Sequence, residues 1–177
     1  SRETPRRDRG SQVFLTAGAQ QGMSLLARLL LEPGASVVVE SCSYTGFHQA
    51  IAPAGARHAP VPTSLTEGID VEAVARALEG SRRPSLIYAM SDGHNPTGAS
   101  MSRARRERLA ALARDARVPI LEDDAYGTIA YDEEDLPASE RELPRAWPRY
   151  RMSVKSARLV EKRGSTLESA LTWPNRA

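Results

Sequence analysis

Apolar and polar positions follow two different periods along the chain, and these periods predict strands and helices in turn. Short apolar or β-branched runs are typical of buried strands, whereas apolar residues spaced three and four apart predict amphipathic helices. The predicted strands are 12–18, 36–40, 57–62, 85–90 and 118–124. The predicted helices are 19–34, 43–55, 70–80 and 103–117, the last two with Asp70 and Ser102 as N-caps.

This alternation of strand and helix predicts the fold class. Strands joined by helices through short connections form βαβ units, which build a mostly parallel, doubly wound α/β sheet with helices on both faces. In such sheets ligands bind outside the carboxyl ends of the strands. The polar clusters at those ends are 16–20, 41–44, 91–98 and 123–126.

The same pattern divides the chain into three parts. Residues 1–11 are charged and patternless, which predicts a frayed segment, and residues 12–135 carry the alternation. Residues 136–177 are rich in Arg, Pro and Ser and are interpreted as a divergent, disordered tail. Apart from a short helix within 153–162, we expect no element in this tail that extends the sheet.

Composition and charge fit one soluble globular domain. The chain has 177 residues, of which 41% are hydrophobic and 26% charged, and its net charge is +2. That charge is too small to predict a nucleic-acid-binding surface. The basic run 103–108 is interpreted as the solvated face of a helix, with a phosphate-binding patch as the alternative.

Cysteine content and hydropathy predict the compartment. Cys42 is the single cysteine, which excludes an internal disulfide and favours a reducing environment. No apolar run approaches the roughly 20 residues of a membrane span, and the first residues do not resemble a signal peptide. The sequence therefore predicts a cytoplasmic protein that makes no membrane contact.

Three polar segments have both a structural and a functional interpretation. The small residues of TAGAQQG, 16–22, suit a strand-to-helix turn, or they leave backbone N–H groups at a helix start for an anion. Tyr44 either packs at a helix start or offers a ring face to a ligand. Asn95 either forms the turn before Pro96 or donates through its amide to a ligand.

The segment EDDAYG, 122–127, is more informative because two adjacent carboxylates end a buried strand. Burying a carboxylate is unfavourable unless it is solvated, paired or bound to a ligand. Asp123 could hold a pyridine nitrogen protonated, while Tyr126 could bond a phenolate oxygen of the same ligand. A metal site is the competing hypothesis, but no histidine or cysteine lies nearby in sequence to complete it, so we predict no metal.

Four motifs together resemble the fold-type I pyridoxal-phosphate enzymes and are most similar to class I/II aminotransferases. The motifs are TAGAQQG, the segment LLARLLLEPGASVVVESCSYTGF, HNPTG and ILEDDAYG. Their order and spacing resemble the family's from about Gln12 to Tyr131, and the resemblance includes the aminotransferase-like module of GntR-type regulators. It implies the large domain of that fold, with 12–135 as its cofactor-binding portion. It also implies pyridoxal 5'-phosphate as cofactor and amino-group transfer from an amino acid to a 2-oxo acid through a Schiff base.

The resemblance also implies roles for the matching residues. His94, beside Asn95, either lines the pocket or is an ordinary loop residue. The implied cofactor contacts are Gly18, Ala19, Gln20 and Arg163 at the phosphate, Tyr44 on the ring face, Asn95 and Tyr126 at the phenolic oxygen, and Asp123 at the ring nitrogen.

The implied chemistry requires a lysine, and the sequence contains two, Lys155 and Lys162. Lys155 follows Asp123 by 32 positions (155 − 123), a separation similar to the family's, and Arg163 follows it. Lys155 is therefore predicted to be the catalytic Schiff-base lysine. The segment before it lacks the apolar strand that usually leads into this residue, so a lysine in a tail unrelated to the family is the alternative.

Members of this family are longer than this chain, so the resemblance implies a fragment of the large domain whose own activity is uncertain. It implies amino acid and 2-oxo acid substrates in amino acid metabolism or biosynthesis, a homodimer, and no nucleic-acid partner through this chain. The alternative is a non-catalytic cofactor-binding or effector-sensing domain. A third option is lyase or hydroxylase chemistry on the same scaffold.

Overall fold

The computed structural model describes residues 14–126 and 149–153 of the chain. Its helices and strands alternate through most of the first range, as the sequence predicts. The elements are α1 Ala19–Leu30, β1 Ser36–Glu40, α2 Thr45–Ile51, a 3-10 turn Ala52–Ala54, β2 Arg57–Val61, β3 Thr63–Ser64, β4 Gly68–Ile69, α3 Val71–Glu79, β5 Leu86–Ala89, α4 Arg103–Ala116, β6 Ile120–Asp124 and β7 Arg149–Ser153.

Five of the described strands form one sheet in the order β2-β1-β5-β6-β7. Every neighbouring pair in this sheet is parallel. The short strands β3 and β4 form a separate antiparallel pair. The predicted parallel α/β architecture is therefore confirmed.

Strand β1 illustrates why the sheet is covered on both faces. Its sequence SVVVE is buried at every position, as expected of a β-branched run in a parallel sheet. Val37 and Val39 belong to the apolar cluster beneath α1 and α2, whereas Val38 belongs to the cluster beneath α3 and α4. Two layers of helices thus enclose the sheet, which makes it doubly wound.

Two strand predictions differ from the structure. Residues 14–16 of the predicted strand 12–18 are not in a strand, and Phe14 and Leu15 are 49% and 73% exposed. Conversely, β7 extends the sheet within the tail where we expected no such element. It pairs in parallel with β6, from Ile120 opposite Arg149 to Asp124 opposite Ser153.

The two predicted N-caps also have different outcomes. The Asp70 carboxylate accepts a hydrogen bond from the Ala73 N–H at 2.9 Å and caps α3. Ser102 occupies the N-cap position of α4, but its side chain makes no capping hydrogen bond. α4 ends at Ala116, followed by Arg117 in the left-handed conformation with φ 55°.

The basic run 103–108 is paired with acidic groups of the same chain. Arg103 pairs with Glu107, and Arg108 pairs with Glu72 at 3.1 Å on an exposed surface. This agrees with a solvated helix face. Arg106 is the exception, because its side chain is only 3% exposed.

No helix in the described part of the chain is long and apolar enough to cross a membrane.

Candidate functional site

The amino terminus of α1 lies where the sequence predicts an anion site. α1 begins at Ala19, and Gly18 precedes it with φ 107°, a conformation that L side chains rarely adopt. Ala19 and Gln20 are the first two helical residues, so their N–H groups have no intrahelical acceptor. No acidic residue lies in this first turn. The turn therefore offers backbone donors and the positive end of the helix dipole.

Tyr44 is joined to this turn through Gly46. The Tyr44 ring lies over Gly46 so closely that a Cβ there would approach the phenol oxygen to 2.6 Å. The Gln20 side chain in turn donates from Nε2 to the Gly46 carbonyl at 2.9 Å. These contacts hold the start of α2, and the Tyr44 ring beside it, against the start of α1.

The loop that follows β5 carries Asn95 and is fixed from beneath by Arg106. This guanidinium donates to the carbonyls of Met101 and Ser91 and forms two bonds with the Asp92 carboxylate, at 2.6 and 2.9 Å. Because a planar guanidinium bonded at four points has little freedom, it holds both ends of the loop in one geometry.

Tyr126 packs on the same loop. A Cβ on Gly93 would lie 2.8 Å from the Tyr126 Cβ, so only glycine allows this contact. Asn95 is half-buried and Tyr126 is 38% exposed. The structure thus places Tyr126 against Gly93 in the loop that carries Asn95.

Asp123 is buried at the carboxyl end of β6, where it is 3% exposed. The Tyr88 hydroxyl donates to its Oδ2 at 2.8 Å. Burial raises the pKa of Asp123, and the nearby Asp124 carboxylate raises it further, whereas the Tyr88 hydrogen bond lowers it. A buried carboxylate of this kind is stabilised most by a ligand that carries a positive charge.

A buried pair beside Asn95 was not predicted. His94 Nε2 lies 3.1 Å from Glu40 Oε2, and both side chains are fully buried. His94 Nδ1 also lies 2.8 Å from the Thr97 hydroxyl. The pair links the end of β1, which leads to Tyr44, with the loop of Asn95. Glu40 ends an apolar strand 54 residues before His94 (94 − 40), so local sequence carried no signal for the contact.

Among the described residues, no group of three or more His, Cys, Asp or Glu side chains converges in a way that could hold a metal ion.

A family model described as "Aminotransferase class I and II" matches residues 2–157 of the chain. The chain belongs to the class I and II aminotransferase family. The match extends beyond both ends of the region that the motifs indicate, and it includes Lys155 but not Arg163. The family resemblance predicted from the sequence is therefore confirmed.

The relatives of this chain include an aminotransferase and a transcriptional regulator. A 2-aminoadipate transaminase from Thermus thermophilus is 33% identical over 130 residues, covering 73% of this chain and 32% of the relative. An uncharacterized HTH-type transcriptional regulator from Escherichia coli is 30% identical over 140 residues, covering 78% of this chain and 28% of the relative. The chain thus spans about a third of the length of these family members.

A solved structure confirms the fold of the described core. The chain is similar to α-aminoadipate aminotransferase LysN from Thermus thermophilus, in complex with N-(5'-phosphopyridoxyl)-L-leucine. The TM-score is 0.76 at 31% identity, and the similarity covers 82% of this chain and 37% of that chain. The predicted large-domain architecture of the aminotransferase fold is therefore correct.

Seven of the nine predicted site residues lie in the described part of the chain, and Tyr44, Asn95, Asp123 and Tyr126 lie at or after the carboxyl ends of β1, β5 and β6. Direct contacts connect Gln20 with the segment of Tyr44, and Tyr126 with the loop of Asn95. The two remaining residues, Lys155 and Arg163, lie outside the described residues.

Proposed function

We propose that this chain is the cofactor-binding part of a pyridoxal-phosphate-dependent aminotransferase that moves an amino group between an amino acid and a 2-oxo acid. The observation that carries the proposal is the buried Asp123 carboxylate at the carboxyl end of β6. Its raised pKa means that it is poorly compensated in the protein alone. A protonated pyridine nitrogen would supply the missing positive charge.

The donors around Asp123 fit the rest of this cofactor. The free N–H groups at the start of α1 suit a phosphate dianion, for which Gly18, Ala19 and Gln20 are the proposed contacts. The half-buried ring of Tyr44 suits an aromatic face. Asn95 and Tyr126 would hold the phenolic oxygen. When bound, pyridoxal phosphate supplies an electron sink for the charge that develops at the α-carbon of the amino acid.

Lys155 is the residue that we propose binds the cofactor covalently and moves the proton at the substrate α-carbon. Strand β7 supports this proposal, because it provides a strand that leads toward the lysine. The register places Ser153 opposite Asp124, so β7 and β6 end at the same edge of the sheet. Lys155 lies outside the described residues and follows Ser153 by two positions in the sequence (155 − 153). Arg163 is proposed as a further phosphate contact.

The first experiment mixes the purified chain with pyridoxal phosphate and records the absorbance spectrum. A lysine-bound cofactor gives a visible band that free pyridoxal phosphate at the same concentration does not. We expect this band in the wild type, its loss in Lys155→Ala, and its retention in the matched control Lys162→Ala. A band that survives in Lys155→Ala would assign the covalent role to another amine, and no band in the wild type would contradict the proposal.

A non-catalytic domain that binds the cofactor to sense an effector is the second candidate. The similarity to an HTH-type transcriptional regulator favours it. Both candidates predict cofactor binding, so the decisive measurement is product formation. Incubation of the cofactor-loaded chain with single amino acids, followed by mass spectrometry for the matching 2-oxo acid, separates them. About one 2-oxo acid formed per bound cofactor supports the transaminase, whereas cofactor binding without product supports the sensing domain.

We also propose a homodimer in a reducing, cytoplasmic compartment. Membership of the aminotransferase family supports the dimer, and the single cysteine, which is exposed as Cys42, supports the compartment. Light scattering of the purified chain at several concentrations would test the dimer. A mass equal to one chain throughout the range would contradict it.

A further inference from the structure

The hydroxyl of Tyr88 has surroundings that suit a fixed hydrogen-bond donor. The residue lies in the middle of β5, fully buried, and its ring stacks on Phe47 with centroids 3.8 Å apart and planes 5° from parallel. This stack fixes the ring and therefore the position of the hydroxyl oxygen. It points to Asp123 Oδ2 at 2.8 Å.

The electrostatics around Tyr88 keep it in the donating form. Burial raises its pKa far above the ordinary value, and the Asp123 carboxylate, Glu40 and Tyr44 raise it further. The neutral phenol is therefore favoured over the phenolate, and in that form Tyr88 donates to Asp123.

We infer that Tyr88 is a positioning residue that aims the Asp123 carboxylate. By occupying Oδ2, the hydroxyl leaves Oδ1 for the ring nitrogen of the cofactor and prevents the carboxylate from rotating. Among the described residues, Tyr88 is the only side chain seen to donate to Asp123. This inference rests on the proposed function, since it assigns the open oxygen to a pyridine ligand.

Tyr88→Phe is the variant that isolates the hydroxyl, because it keeps the ring and its stack on Phe47. Ile87→Val is the matched control. Ile87 is the neighbouring residue in β5, equally buried, but it belongs to the apolar cluster on the opposite face of the sheet. A core Ile-to-Val change and the loss of one buried hydrogen bond have similar stability costs, so the pair separates local packing from an action on Asp123.

The first measurement uses the protein without cofactor. The Asp123 carboxyl is titrated by carbon NMR, with Asp123→Asn to assign its signal. Because the Tyr88 bond stabilises the charged carboxylate, we expect the titration midpoint to move to higher pH in Tyr88→Phe and to stay in place in Ile87→Val. A purely structural Tyr88 predicts no difference between the two variants, and that result would overturn the inference.

The second measurement is the pH dependence of pyridoxal-phosphate affinity. Binding should weaken below the Asp123 midpoint, because both the carboxyl and the free pyridine nitrogen are then protonated and one proton must leave. In Tyr88→Phe this weakening should begin at higher pH, with about ten-fold lower affinity than the wild type on the acid side. An analogue with carbon in place of the ring nitrogen should be bound about equally well by Tyr88→Phe and wild type.

The outcomes distinguish this inference from the proposed function. Suppose that pyridoxal-phosphate binding by the wild type weakens at low pH and that Tyr88→Phe does not shift the pH at which this weakening begins. The inference is then wrong and the proposed function stands. Equal weakening of the cofactor and of the carbon analogue would also overturn it, because the effect would not pass through the ring nitrogen. If the wild type does not bind pyridoxal phosphate at any pH, the proposed function fails, and the assignment of Oδ1 to a pyridine fails with it.

Discussion

At the scale of single residues, the site contains a group whose burial is unfavourable for folding when no ligand is bound. Asp123 is the clearest case, because burial raises its pKa above the ordinary value of 3.8. A carboxyl with a raised pKa stabilises the fold in its protonated form, below pH 3.8. That contribution is lost as the pH rises through the folded-state pKa. Ionised Asp123 therefore opposes folding until a ligand pairs with it.

Asp123→Asn is accordingly expected to improve stability while weakening cofactor binding. The amide is neutral at every pH and its oxygen still accepts from Tyr88, so we expect a higher free energy of unfolding at about pH 7 in the absence of cofactor. Cofactor affinity should fall roughly 10- to 100-fold, as expected for loss of a charge-assisted hydrogen bond. Urea titration and fluorescence titration measure the two effects.

The exposed residue Asp115 in α4 provides the control, since Asp115→Asn removes the same charge far from the site. It should leave cofactor affinity unchanged. An Asp123→Asn protein that is less stable than wild type at neutral pH would mean that the buried carboxylate is already compensated without a ligand.

A second residue-scale prediction concerns the buried pair of Glu40 and His94. Removing one member of a buried polar contact leaves the facing atom of the other unpaired, so Glu40→Leu should cost about 1–3 kcal/mol. The double variant Glu40→Leu with His94→Leu should recover part of that loss. Urea unfolding of the two single variants and the double variant gives the coupling, and additive losses would show that the 3.1 Å contact carries no energy.

The residue roles that the sequence predicts concern residues in local motifs, and these roles stay predictions. Asp123 and Tyr126 stand in EDDAYG, and Asn95 stands in HNPTG, so their neighbours gave the signal. The Tyr88–Asp123 bond joins residues 35 positions apart in sequence. Contacts of that kind depend on which strands become neighbours, and a single sequence does not specify strand order.

At the scale of elements, the predictions are confirmed where the hydrophobic residues of a segment follow a clear helical or strand pattern. α3 begins at Val71 after the predicted Asp70 cap, and the β-branched run of β1 is fully buried. The predicted strand 12–18 is wrong over its described residues 14–18, where no strand forms and the apolar side chains of Phe14 and Leu15 are exposed. β7, with the sequence RYRMS, was missed because it lacks the continuous apolar run expected of a central parallel strand. It lies at an edge of the described sheet, where that requirement is weaker.

The two helix starts allow a prediction from matched positions. Asp70 caps α3 with a hydrogen bond, so Asp70→Ala should lower the free energy of unfolding by about 1 kcal/mol. Ser102 makes no such bond at the start of α4, so Ser102→Ala should change it by a few tenths of a kcal/mol at most. Urea unfolding at one pH compares both variants. Equal losses would contradict the assignment of a capping hydrogen bond to Asp70 and none to Ser102.

At the scale of the whole molecule, the fold brings distant segments to one edge. The parallel sheet aligns the carboxyl ends of β1, β5, β6 and β7, and each is followed by a segment that carries a proposed ligand contact. Contacts between those segments then hold the geometry, as Gly46 does for Tyr44 and Arg106 does for the loop of Asn95. These segments lie far from one another in the chain, so the order of the strands in the sheet brings them together.

The last prediction concerns how much of the chain this folded unit requires. The family match ends at residue 157, and β7 pairs with β6 along its whole length. A chain shortened to residues 1–157 should therefore unfold with the same urea midpoint as the full chain. A chain shortened to 1–148 lacks β7 and opens one edge of β6, whose Leu121 is fully buried. Full exposure of one such side chain costs about 1.5–3 kcal/mol, and partial exposure costs a fraction of that, so its midpoint should be lower. Equal stability of the 1–148 chain would mean that β7 is not part of the cooperative unit, and it would weaken the support that β7 gives to the proposal for Lys155.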